Sequence, residues 1–290
     1  AWNHALSDEV LAAQFGITAN PWKGIKLREA SAARGDEDEE DAPPATGTRA
    51  LTPEEFADLV LKWERPRLLT TAKGAAIMAP PDRRCMLAAV LIVTSGQRVL
   101  QVLRARPEQF DLAAGLWHVP FAERKIRRVL QKQAKKAPEL IAPHTVPLPP
   151  QAVAAVRELI TLNANTGSAW LFPHFDRWGK MTKLPRTYQS FGQWVHGWTE
   201  RAGGERFDSR DLRRSWATWA ASWGVQWETR EKHLDHIQPG GLGNTYNRHD
   251  YLAERQQAQK VFGDRWQQVL DERRGTVDNV QELAKNVRAA

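Results

Sequence analysis

The sequence predicts a mainly α-helical protein with a small antiparallel β-sheet, an α+β fold, and three observations carry that expectation. Apolar residues recur at three- and four-residue spacing through 151–162, 190–202 and 211–223, the period of amphipathic helices. Only two short runs, 117–121 and 144–148, read as strands, and both are bounded by proline. A nine-residue apolar run, 85–93, has the length and flanks of a buried helix and falls far short of the roughly 20 residues that cross a membrane.

In chain order, residues 1–26 hold one helical stretch, 8–15, followed by Asn20-Pro21-Trp22, and are expected to be the last piece of a preceding domain. Residues 27–50 lose apolar periodicity and contain six adjacent carboxylates, Asp36 to Asp41, followed by Ala42-Pro43-Pro44, which predicts a solvated, flexible linker. A metal site needs convergent ligands, and a run of like charges does not supply them. At residue 51 the signals change. Thr52, Pro53 and Glu55 form a capping-box helix start, so a domain covering 51–290 is expected to begin there.

Charge narrows the classes of partner. The chain of 290 residues carries 41 Lys+Arg against 34 Asp+Glu, a formal charge of +7. Residues 1–50 hold 5 basic and 9 acidic side chains, so the surplus belongs wholly to residues 51–290, with 36 against 25. Such a domain attracts polyanions, although a merely basic enzyme has the same arithmetic. The single cysteine, Cys85, excludes an internal disulfide and any multi-cysteine metal site, and it sits inside the apolar run. With no signal-peptide pattern, a reducing, cytoplasmic setting is expected.

Of thirteen tryptophans, Trp216, Trp219, Trp223 and Trp227 are spaced by three, four and four residues. Exposed, such a stripe would stack bases. With Ala217, Ala220 and Ala221 between them, the expectation is a core-facing stripe.

Four segments carry groups suited to holding a phosphate. Thr94-Ser95-Gly96-Gln97-Arg98 follows the buried helix, and its glycine turn would set Arg98 beside the core. Asp208-Ser209-Arg210-Asp211-Leu212-Arg213-Arg214 puts three arginines at a helix start, where positive side chains oppose the helix dipole unless an anion binds. Lys232-His233-Leu234-Asp235-His236 offers two histidines, but no further ligands stand at a metal-site spacing. Finally, Trp117 to Lys125 runs out of a strand toward the return strand at 144–148.

In order and separation, Ser-Gly-Gln-Arg, a lysine in a hairpin closed by Val-Pro-Leu, Asp-Leu-Arg-Arg-Ser, Leu-Asp-His and a tyrosine ten residues on, this set resembles the catalytic domain of the tyrosine recombinases, the phage-integrase family, over residues 51–270. Residues 1–26 then correspond to the end of that family's core-binding domain. The resemblance implies the tyrosine-recombinase catalytic-domain fold and site-specific breaking and rejoining of double-stranded DNA at attachment sites, for integration or excision of a prophage or mobile element. It implies a 3′-phosphotyrosyl intermediate, no metal and no cofactor, assembly as a tetramer on DNA with accessory directionality or bending factors, no membrane association, and a nucleoid-associated location.

It assigns the nucleophile to Tyr246, with Tyr251 as runner-up. Arg98 and Arg213 would clamp the phosphate, His236 would hydrogen-bond it, and Lys125 would protonate the leaving oxygen, with Lys132, Lys135 and Lys136 as alternatives. Arg210 stands where the family most often has histidine. Arginine cannot accept the tyrosine's proton, so it would serve as a phosphate ligand. Gln101 stands where an acid commonly supports the first arginine. The competing readings are a catalytically impaired relative that occupies recombination sites, and a topoisomerase-like or telomere-resolving relative.

Overall fold

The computed structural model describes residues 49–64, 82–125, 142–176, 178–236 and 249–289, with side chains as far as residue 276. The expected segment 1–26, nearly all of the acidic linker, Lys132, Lys135, Lys136 and Tyr246 lie outside the described residues.

Helix α1, Pro53–Glu64, begins where the capping box places it. Thr52 Oγ1 accepts from Glu55 N at 3.1 Å, and the Glu55 carboxylate accepts from Thr52 N at 3.4 Å. Helix α2, Arg83–Ser95, extends the apolar run by a turn's worth of residues and is capped by Asp82, which accepts from Arg84 N. Leu91, Ile92 and Val93 are wholly buried on different faces, as in a central helix surrounded by others. Each such side chain contributes about 1.5–3 kcal/mol of burial. Around α2 pack α4, Pro150–Asn163, and α6, Ser209–Ser222, with the short α3, Val99–Leu103, following it. Helix α5, Tyr188–Arg201, precedes α6, and α7, Trp227–His233, follows it.

The two expected strands are β2, Leu116–Val119, and β3, His144–Pro147, antiparallel with Trp117 opposite Val146 and His118 opposite Thr145. A two-residue β1, Phe110–Asp111, completes that sheet. A second hairpin, β4, Pro173–Phe175, with β5, Met181–Pro185, was not legible, because prolines stand at its ends and its turn is made by Asp176 Oδ1 accepting from Trp178 N and Lys180 N.

Helix α8, Leu252–Ala289, is the last of the described elements. The tryptophan stripe is core, but only in part. Trp216 and Trp219 are buried and Trp223 packs against them, whereas Gly224, at φ 84, ends α6 and leaves Trp227 on α7, 52% exposed. Trp219 instead joins an aromatic cluster drawn from three helices, with ring centroids 6.2 Å from Phe56, 5.5 Å from Trp266 and 6.1 Å from Phe262. Among the described residues no helix is long and apolar enough to cross a membrane.

Candidate active site

The site is assembled on the C-terminal end of α2. Gly96 caps that helix with φ 65, and a Cβ built there would lie 2.5 Å from the indole of Trp216 on α6. Only glycine permits both the left-handed turn and that approach. The contact fixes the relation of two arginines: Arg98 lies two residues beyond Gly96, and Arg213 lies one turn before Trp216 on the same face of α6. Arg98 is the N-cap of α3 and half-buried. Gln101 does support it, but through the backbone: its Oε1 accepts from Arg98 N at 3.2 Å.

Helix α6 starts at Asp208, whose N–H donates to Asp211 Oδ2 at 2.8 Å. Asp211 also pairs with Arg214, which directs that arginine back along the helix and away from the role of its neighbours. Arg210 and Arg213 remain on one face, and the Arg210 guanidinium lies 5.9 Å from the ring centre of Tyr188 at the start of α5.

Helix α7 delivers the histidines. His233 is buried, its ring stacked on Trp216 at 4.5 Å, with Nε2 2.7 Å from the carbonyl of Ser95. Its backbone carbonyl accepts from Gln97 at 2.9 Å and from the His144 ring at 3.1 Å. Burial pushes its pKa well below the ordinary value, so it is a structural strut between α2 and α7 rather than a titrating group. Among the described residues no cluster of metal-ligating side chains exists.

His236 faces solvent from the turn after α7. Arg213 Nη2 donates to Leu234 O at 2.8 Å and to His236 Nε2 at 3.0 Å, while His236 Nδ1 donates to Glu231 Oε2 at 3.0 Å. These bonds select the neutral tautomer with its proton on Nδ1. Partial burial, then the charge of Arg213 and, more weakly, of Arg98, lower the His236 pKa, opposed by Glu231. Arg213 and His236 are therefore in contact, and Arg98 is near enough for its charge to act on the imidazole. Glu231 was not anticipated, and its position five residues before His236 gives no motif that would mark it.

Lys125 is exposed and follows the 3-10 turn Phe121–Glu123 that leaves β2, so it lies past the strand rather than in it. Its neighbour Arg124 bonds Asp235 beside His236. Tyr251, the runner-up nucleophile, sits at φ 57 ahead of α8 with its ring 4.6 Å from that of His249.

A guanidinium bonded to a neutral imidazole, with the charge of a second arginine acting on it, above a buried apolar floor, is an arrangement suited to a tetrahedral oxyanion. The family model described as the phage integrase family matches residues 62–252. The chain belongs to the phage integrase family. All the described members of the cluster lie inside that match. Among curated integrases, prophage integrase IntA of Escherichia coli strain K12 is 26% identical over 200 residues, 69% of this chain and 42% of that protein, so this chain spans less than half the length of that relative. Solved structures similar to it include the integrase from mycobacterium phage Brujita, at TM-score 0.48 and 14% identity over 87% of this chain and 67% of that one. XerA recombinase follows at TM-score 0.47 and 14% identity over 68% and 58%. The Tn1549 transposon integrase in complex with transposon right end DNA gives TM-score 0.46 and 13% identity over 82% and 72%.

Proposed function

We propose that this integrase-family chain breaks and rejoins double-stranded DNA at specific sites through a covalent tyrosyl intermediate, in the integration or excision of a mobile element. The observation that carries this reading is the Arg213 guanidinium held between Leu234 O and His236 Nε2, with the charge of Arg98 acting on the same imidazole. Such a grip neutralises charge on a pentacoordinate phosphate without a metal ion.

The Tyr246 oxygen attacks phosphorus as the bond to the 5′ oxygen breaks. Arg98, Arg210 and Arg213 hold the nonbridging oxygens. Lys125 gives its proton to the departing 5′ oxygen and recovers it in the reverse step, which reseals the strand. With Arg210 in the usual place of a histidine, the tyrosyl proton passes to water or to another neutral group.

The chain would act as a tetramer on DNA. A second reading, occupancy of sites without cutting, is favoured by Arg210 alone.

The test uses a pool of nicked duplexes of randomised sequence, whose cleavage releases a short fragment and traps the protein. Wild type should yield a covalent complex, with its DNA joined at Tyr246, and Tyr246→Phe none. DNA retained by the wild type without any covalent complex would replace this reading with the second.

A further inference from the structure

Arg124 occupies a position that the proposed chemistry does not use, yet it makes the most complete set of bonds near the site. Its Nε donates to Asp235 Oδ2 at 3.0 Å and its Nη2 to Asp235 Oδ1 at 2.5 Å. Its Nη1 reaches the carbonyl of Ala142 at 3.3 Å, just ahead of β3. One guanidinium thus ties the exit of β2 and the approach to β3 to the turn after α7. The geometry is a two-pronged fork, which fixes orientation as well as distance.

Asp235 is unusual on its own account. Its φ is 55, a left-handed conformation that few residues other than glycine accept, although aspartate is among the more tolerant. Its side chain is 4% exposed. A carboxylate so buried requires a partner. His144 Nδ1, 3.8 Å away, does not serve as a cationic one, since burial lowers the pKa of that histidine to about 4. Arg124 is the cation that bonds it directly, through both carboxylate oxygens, whereas Arg255 acts on it through charge alone. Asp235 separates the two residues that Arg213 grips, the Leu234 carbonyl and the His236 ring. Arg124, for its part, immediately precedes Lys125.

We propose that Arg124 and Asp235 form a positioning clamp that registers Lys125, on the leaving-group side, against the Arg213–His236 phosphate grip. The proposal rests on the roles given above to Lys125 and His236. His236 keeps two other holders, Arg213 and Glu231, so loss of the clamp leaves the imidazole bonded and is expected to show at the leaving-group side.

A change of leaving group separates this from a general loss of structure. Replacing the bridging 5′ oxygen by sulfur lets the leaving group depart as a thiolate, with no proton required, so a displaced acid no longer matters. The probe is the duplex recovered by covalent trapping on the wild type, made with oxygen or with sulfur at that position, in single-turnover cleavage. Arg124→Ala is expected to cleave the oxygen substrate at least about 100-fold more slowly, the contribution of a placed general acid. On the sulfur substrate it is expected to lie within about tenfold of wild type.

Asp235→Gly, which suits φ 55 without strain, is expected to behave in the same way; a defect there comes from the lost carboxylate and not from the backbone. Equal slowing on both substrates, or none on either, overturns the clamp. A wild type that forms no covalent complex overturns the recombinase reading itself, and a cleaving wild type with an unimpaired Arg124→Ala overturns only the clamp.

Discussion

Arg213 holds His236 and the chain that carries it through one nitrogen, with Nη2 2.8 Å from Leu234 O and 3.0 Å from His236 Nε2. A lysine ammonium is a compact point charge and cannot reproduce a planar fork that reaches a carbonyl, an imidazole and a phosphate together. Arg213→Lys is therefore expected to lower covalent trapping by about 100- to 1,000-fold, in the range for loss of one preorganised donor. Filter binding should change far less. Trapping within tenfold of wild type would remove Arg213 from the phosphate.

Glu231 raises the His236 pKa against burial and Arg213. Glu231→Gln retains an acceptor but loses the charge, so the His236 titration midpoint should fall further, as read by NMR of the imidazole. Cleavage should decline by no more than about tenfold, because a neutral hydrogen bond still orients the ring. An unmoved midpoint would mean that Glu231 does not face His236 in solution.

Arg210 tests the departure from the family pattern. Arg210→Ala is expected to slow cleavage, and Arg210→His to keep or raise it by restoring a proton acceptor. Undiminished trapping by Arg210→Ala would show that this side chain is not a phosphate ligand.

Acid should weaken the fold in a defined window. His144 has its pKa depressed from 6.5 to about 4, chiefly by burial, so the unfolded chain binds more protons than the folded one between these values. The associated stability is full above pH 6.5 and is lost as pH falls toward 4, by on the order of 3 kcal/mol. His233, shifted in the same direction, adds to the loss. Urea denaturation across this range should show the decline, and His144→Gln should flatten part of it.

Gly96→Ala meets two obstacles, the left-handed φ of 65 and the Trp216 indole 2.5 Å from the new methyl. A destabilisation of about 2 kcal/mol or more is expected from chemical denaturation, since neither backbone nor a buried indole yields easily. A loss below 0.5 kcal/mol would mean that the two helices separate freely.

The capping box at Thr52, the buried run of α2, the β2–β3 pair and the order of Arg98, Arg213 and His236 were all legible, because each is local in sequence or fixed by spacing. What escaped depends on partners far along the chain. Glu231 is only a charge on a helix until His236 turns back over it. Arg124 is one basic residue among many until Asp235, 111 positions later, meets it. The β4–β5 hairpin hid because its turn is held by the Asp176 side chain and not by a recognisable two-residue turn sequence. Trp227 was misread because spacing was carried across Gly224, whose left-handed conformation resets the helical phase.

The glycine–indole contact between Gly96 and Trp216 has a consequence for how the molecule fails. Arg98 and Arg213 are hung from backbone that belongs to the aromatic and aliphatic interior, and the Gly96 amide there, bonded to Ile92 O, should exchange its hydrogen only through global opening. The anion grip then has no private melting step. On heating, affinity for phosphate and the cooperative unfolding signal should disappear together, and whatever regulates this member of the family must act through groups outside that floor.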